Sequence, residues 1–129
     1  MPVQSWIHVI EWRATVHPEL TALDDDRGVR YSYRELLDVL ERRAGGWADL
    51  NVRPGDVVAV VAKNSADFFV HAFALMRAGA IPAFVNWRLS AAELTELVEL
   101  FEPVAVAADT EFAALAEAAA PALTRRVLI

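Results

Sequence analysis

Cysteine is absent from the 129 residues, which excludes disulfides, thiolate metal sites, a thiol nucleophile and thiol redox chemistry together, and fits a cytoplasmic location. Glycine is sparse and dispersed, at positions 28, 45, 46, 55 and 79. Neither common phosphate-loop spacing, in which clustered glycines let backbone amides surround an anion at a helix start, is therefore present. Basic residues are in the minority, 12 Lys and Arg against 18 Asp and Glu for a formal net charge of -6. They are also scattered, whereas nucleic-acid binding needs clustered cations to neutralise phosphates, so nucleic acid is not the principal partner. Long apolar runs are missing too. Val57 to Ala62 is strand-sized, against about 20 residues for a membrane-spanning helix, and Met1 to Trp6 has no basic stretch leading into an apolar core, as a secretory signal would. Peripheral association with a membrane remains compatible with this, although no basic amphipathic helix calls for it.

What is present is a core: 56% of the residues are hydrophobic, enough for one globular unit. Ser5 is positioned to cap a short helix carrying Trp6, Ile7, Ile10 and Ala14 on one side and stopped by Pro18. Ala22-Leu23-Asp24 and Val29-Arg30-Tyr31 flank Asp25-Asp26-Arg27-Gly28, which predicts a hairpin with a solvated turn. Ser32-Tyr33-Arg34-Glu35 and Ser90-Ala91-Ala92-Glu93 have the form of capping boxes and predict two helices. The first carries Leu36, Leu37, Leu40, Ala44 and Trp47; the second carries Leu94, Leu97, Val98 and Phe101 and ends at Pro103. Between them, Pro54-Gly55-Asp56 turns the chain into a buried strand, Val57 to Ala62. Ser65 caps a helix with Phe68, Phe69, Ala72, Leu75 and Met76 inward and Gly79 as its left-handed stop. Ile81 to Val85 reads as a second buried strand, Val104 to Ala108 as a third, and Arg126 to Ile129 as the start of a fourth, after a helix capped by Asp109. Strand and helix in alternation predict an α/β fold, a parallel sheet with helices on both faces, preceded by the short helix and the hairpin.

Candidate chemistry is thin. His8, His17 and His71 are too dispersed for a metal site, and His71, within an apolar helix, is expected to be partly buried and hydrogen-bonded. Asp24-Asp25-Asp26 lacks the spacing of a calcium loop. No Gly-x-Ser-x-Gly elbow marks a nucleophile, so Ser5, Ser32, Ser65 and Ser90 are read as caps. Most of the aromatic residues fall on expected core faces. The exception is Trp87, which with Asn86 and Arg88 follows a strand's carboxyl end, the side on which open α/β sheets bind ligands. Arg88 suits bidentate contact with phosphate or carboxylate, and Asn86 suits fixing a turn.

Several segments in this order resemble the front of the adenylate-forming (AMP-binding) superfamily: Tyr31-Ser32-Tyr33 with Glu35-Leu36, Gly55-Asp56-Val57-Val58, Asn64-Ser65-Ala66-Asp67-Phe68, Ala78-Gly79-Ala80-Ile81-Pro82, and Asn86-Trp87-Arg88-Leu89 with Glu93-Leu94. The likeness is greatest to the N-terminal part of bacterial fatty-acid or other acyl-CoA synthetases. The resemblance implies a parent enzyme that uses ATP, Mg²⁺ and coenzyme A to join a carboxylic acid to CoA through an acyl-adenylate. It also implies that the phosphate loop, the ribose-binding Asp and the catalytic Lys lie downstream of the matched region. On this reading residues 1–129 form a single α/β unit, an incomplete N-terminal portion of the large domain. It has no catalytic residue or metal site of its own, binds none of these cofactors tightly, and has the rest of the synthetase as its partner. Arg88 is then a contact for the CoA phosphates, with Asn86 and Trp87 beside it; Trp87 stands where relatives often have Pro. Two other readings are the front of a nonribosomal-peptide adenylation domain and a naturally short α/β binding module. A sheet edge left open predicts homodimerisation or strand exchange.

Overall fold

The computed structural model describes residues 5–129; Met1 to Gln4, most of the segment read above as lacking a secretory signal, lies outside them. Helix α1 (Trp6–Val16) leads into a hairpin of β1 (Thr21–Asp24) and β2 (Arg30–Ser32). Helix α2 (Tyr33–Asp49) follows, and then β3 (Val57–Val61), α3 (Ala66–Arg77), β4 (Ile81–Val85), α4 (Ala91–Phe101), β5 (Ala105–Ala108), α5 (Ala113–Ala119) and β6 (Arg126–Leu128). A single 3-10 turn, Thr110–Phe112, introduces α5.

Both capping boxes form. The Ser32 Oγ accepts from the Glu35 amide at 3.3 Å while the Glu35 carboxylate accepts from the Ser32 amide at 2.8 Å. Ser90 and Glu93 repeat the arrangement at 3.3 and 2.8 Å. Those backbone amides, with the serine hydroxyls, hold both glutamates below the ordinary carboxylate range. Ser65 caps α3 through the Phe68 amide, 3.0 Å away. Ser5 does not repeat the pattern: it occupies the cap position of α1 with extended backbone and makes no side-chain cap bond.

Sheet order is β4-β3-β5-β6, every pair parallel. From β3 the chain steps outward to β4 and then crosses back over β3 to β5. Right-handed crossovers in opposite directions place their helices on opposite faces. Accordingly α2 and α3 cover one face, packing Leu36, Leu40, Trp47, Val70 and Leu75 on Val58 and Val60. Helices α4 and α5 cover the other, packing Leu94 and Ala116 on Ala59, Val61 and Val106.

Three core assignments change. β4 is an edge strand and not a buried one, with Ile81 53% and Phe84 52% exposed. The Ile81 amide donates to Asp56 O at 2.8 Å, so Ile81, Ala83 and Val85 turn their amides toward β3, and Pro82 and Phe84 face the open edge. Helix α3 buries Ala72 and Leu75 as expected, with Val70, His71 and Ala74 beside them, and Phe68 and Met76 are partly buried against the same cluster. Phe69 is the exception, 38% exposed, and with Trp6, Phe68, Phe73, Met76 and Phe84 it lines an open apolar groove of about 420 Å³. Trp6 and Trp12 are likewise exposed, not in the core.

Gly79 has φ +78, and a Cβ there would lie 3.0 Å from the Pro54 Cβ and 3.3 Å from its Cα. Gly45, inside α2, has open space around the same position. Gly79→Ala is therefore expected to lower stability by about 1–3 kcal/mol, through left-handed strain and the collision with Pro54. Gly45→Ala should raise it by about 0.5–1 kcal/mol through lower chain entropy. Urea midpoints of the two variants, taken at unchanged slope, should move in opposite directions.

Candidate functional site

Because the chain leaves β3 toward β4 on one side and reaches β5 on the other, the topological switch point lies beyond the carboxyl ends of β3 and β5. Ligands of open α/β sheets sit at such crevices. Lys63 follows β3, the Asn86–Leu89 turn follows β4, and Asp109 follows β5. The sequence singled out the middle group; the fold adds the flanking two.

The Asn86 carbonyl accepts from the Leu89 amide at 3.1 Å, closing the turn. The Asn86 Oδ1 accepts from the Arg88 amide, also at 3.1 Å, the local turn role expected of this side chain. Trp87 is half-buried and stacks on Phe112, ring centroids 5.7 Å apart at 27°. The Arg88 guanidinium lies over the Trp87 ring, 4.3 Å from its centroid. A stacked guanidinium gives up rotational freedom in advance and keeps its N–H edge for a planar anion. Arg88 is exposed and takes part in no ion pair among the described residues.

Lys63 stands across the same platform, its Nζ 4.9 Å from the Trp87 centroid and 5.6 Å from that of Phe112. It is paired with Glu111 at 2.8 Å. Its backbone amide donates to the Asp109 carboxylate at 2.8 Å, tying the end of β3 to the end of β5. Asp109 is buried and, contrary to expectation, makes no cap bond to the turn that precedes α5. A strand-ending lysine was a signal available in the sequence, since Lys63 stands after β3 as the Asn86 turn stands after β4. The partnership with Asp109, 46 residues away, had no local trace.

The hairpin turn is also more than a solvated loop. The Asp25 carboxylate accepts from the amides of Arg27 and Val29, each at 2.9 Å, and from Ala66 at the start of α3, at 3.1 Å. These donors, Ala66 foremost and then Val29, hold its pKa down. The turn is thereby docked beside the segment that leaves β3.

Among the described residues no group of three or more His, Asp or Glu is placed to hold a metal ion. Gly28, Gly55 and Gly79 take positive φ in separate turns, and Gly45 and Gly46 lie inside α2. Among the described residues, the Arg88 guanidinium on its indole is an arrangement suited to an anionic ligand.

The profile of AMP-binding enzymes matches residues 10–129. The chain belongs to the AMP-binding enzyme family. Within this family, the 4-chlorobenzoate–CoA ligase of Arthrobacter sp is 36% identical over 91 residues, 70% of this chain and 17% of that ligase. The 2-succinylbenzoate–CoA ligase of a Geobacillus strain is 37% identical over 101 residues, 78% and 20% of the two chains. Among solved structures, a Mycobacterium tuberculosis fatty acyl CoA synthetase superimposes with a TM-score of 0.85 at 25% identity, over 95% of this chain and 26% of that one. This member of the AMP-binding enzyme family thus has the fold of the N-terminal portion of CoA ligases and spans about a fifth or less of the two curated relatives' length. The parallel sheet, its two helical layers and the antiparallel hairpin all agree with that assignment.

Proposed function

We propose that the chain is the N-terminal part of an ATP-dependent acyl-CoA synthetase acting on a fatty or related carboxylic acid in the cytoplasm. The observation that carries the proposal is the family match from residue 10 to residue 129, and the likeness to several acid–CoA ligases supports the choice within it. In such a ligase the acid's carboxylate attacks the α-phosphorus of ATP, releasing pyrophosphate. The CoA thiol then displaces AMP from the acyl-adenylate. ATP and Mg²⁺ would be held by the remaining portion of the synthetase. What this segment supplies is scaffold, together with Arg88, held on Trp87 by the Asn86 turn, as a contact for the CoA phosphates.

Two measurements test the reading. The 129-residue chain alone should show no ATP–pyrophosphate exchange above background with any carboxylic acid, because adenylation depends on positioned phosphate donors and metal that it does not provide. In the full-length synthetase, Arg88→Ala should raise the KM for CoA about 10-fold or more, the loss of a charge-assisted contact, and leave ATP–pyrophosphate exchange unchanged. Exchange by the isolated chain, or an Arg88→Ala enzyme with unaltered CoA dependence, would overturn the corresponding half.

A further inference from the structure

Two cations share the Trp87 indole, and they are not in the same state. The Arg88 Cζ lies 4.3 Å and the Lys63 Nζ 4.9 Å from the ring centroid. The charges are thus no farther apart than those two distances together, within the span of one ligand that carries several phosphates. Arg88 pairs with no carboxylate among the described residues. Lys63 is clasped by both carboxylate oxygens of Glu111, Oε1 at 2.8 Å and Oε2 at 3.0 Å. Neither Lys63 nor Glu111 belongs to the segments that carry the resemblance to the family.

The lysine is held in place independently of that carboxylate. Its backbone amide donates to the buried Asp109 at 2.8 Å, and its ammonium lies 5.6 Å from the Phe112 centroid as well as over Trp87. The aromatic floor attracts the cation whichever anion faces it. Glu111 stands on the 3-10 turn Thr110–Phe112, with its side chain exposed. An exposed ion pair contributes little net stability, whereas phosphate oxygens make strong charge-assisted bonds to an ammonium group. A phosphate arriving on Arg88 therefore competes with Glu111 for Lys63, and the displaced carboxylate has solvent to turn into. Until it is displaced, Glu111 repels that phosphate and cancels one of the two charges that attract it.

We propose that Lys63 is a second contact for the CoA phosphates and that Glu111, by occupying Lys63 in the free enzyme, limits how tightly CoA is held. This rests on the CoA-ligase reading of the Arg88 platform and adds to it a lysine and the carboxylate that restrains it.

The test is steady-state kinetics of the full-length synthetase, with CoA varied at saturating ATP and acid. Lys63→Met keeps an apolar stem and removes the charge, and should raise the KM for CoA about 5-fold or more. Glu111→Gln keeps the shape and removes the competing charge, and should lower that KM about 3-fold. A purely structural ion pair has no means of producing the fall. The KM for ATP is the control, since a loosened fold moves both constants and the proposed contact moves only that for CoA. A cooperative thermal transition establishes that each variant is folded, and if Lys63→Met is not, Glu111→Gln decides alone. A KM for CoA that is unchanged or raised in Glu111→Gln, or unchanged in folded Lys63→Met, overturns the proposal alone where Arg88→Ala still raises it. An unchanged KM in Arg88→Ala, or no CoA-dependent turnover by the wild type, overturns the underlying CoA reading as well.

Discussion

Leu75→Ala is expected to lower the free energy of unfolding by about 2–5 kcal/mol, whereas Phe69→Ala, six residues earlier on the same helix, should cost about 1 kcal/mol or less. Leu75 is fully buried in the cluster on the α2–α3 face of the sheet. Truncating it removes three heavy atoms where the surrounding Val58, Val60 and Leu40 cannot follow. Phe69 is 38% exposed; it meets Phe68 and Phe73 at ring-centroid distances of 5.2 and 6.1 Å on the rim of the open groove. Size alone predicts the reverse order, since Phe is the larger side chain. Urea denaturation of the two variants therefore reads directly which residues of α3 face the core: similar losses, or a larger one at Phe69, would mean that the helix presents a different face.

The second large effect is a loss of stability in mild acid that depends on His71. Burial, and after it the Arg43 charge, lowers the imidazole pKa from 6.5 to about 4, with Asp67 opposing in part. The unfolded chain thus takes up this proton before the folded one does. Stability is complete above the unfolded pKa of 6.5 and declines as pH falls toward 4. Between pH 7.5 and 4.5 the loss should be on the order of 2–3 kcal/mol. The carboxylates of Asp25, Glu35 and Glu93 are held below their ordinary range, so their contribution is lost at lower pH and leaves this window to the histidine. Unfolding midpoints of wild type and His71→Phe at the two pH values measure it. The variant should show a drop smaller by about that amount, and equal drops would exclude His71 as the source.

Local chemistry was readable at several helix ends, although Ser5 and Asp109, read as caps in the same way, make no cap bond. Ser32 with Glu35 and Ser90 with Glu93 declare themselves by spacing, and Gly79 by its place after an apolar helix. The full buried face of α3 was not: Val70, His71 and Ala74 join it and Phe69 leaves it, because Phe68, Phe69, Val70, Ala72, Phe73, Ala74, Leu75 and Met76 leave too few polar residues to mark a wet side. A helix apolar nearly all round carries little information about which face is covered. β4 misled for the same reason: an uninterrupted apolar run suits a central strand and an edge equally until the strand order is known. In the candidate site, Asn86, Trp87 and Arg88 form one short segment and were visible together. Lys63, Asp109 and Phe112 come together through sheet order, and the Asp25 link to Ala66 spans 41 residues. At His71 the expected hydrogen bond is not found at Nδ1 among the described residues; the ring instead meets that of Trp47 edge to face, from an element 24 residues earlier that local sequence does not reveal.

The register of β4 has a consequence for molecular association. Pro82 and Phe84 are the residues facing away from β3, and proline carries no amide hydrogen, so the edge offers two carbonyls but only the Phe84 donor. A foreign strand seeking to extend the sheet at β4 would leave one of its own acceptors unanswered at the middle of the contact. β6, at the opposite border, carries no proline within Arg126–Leu128. At the β4 border, therefore, the sheet resists the addition of further strands beside Pro82.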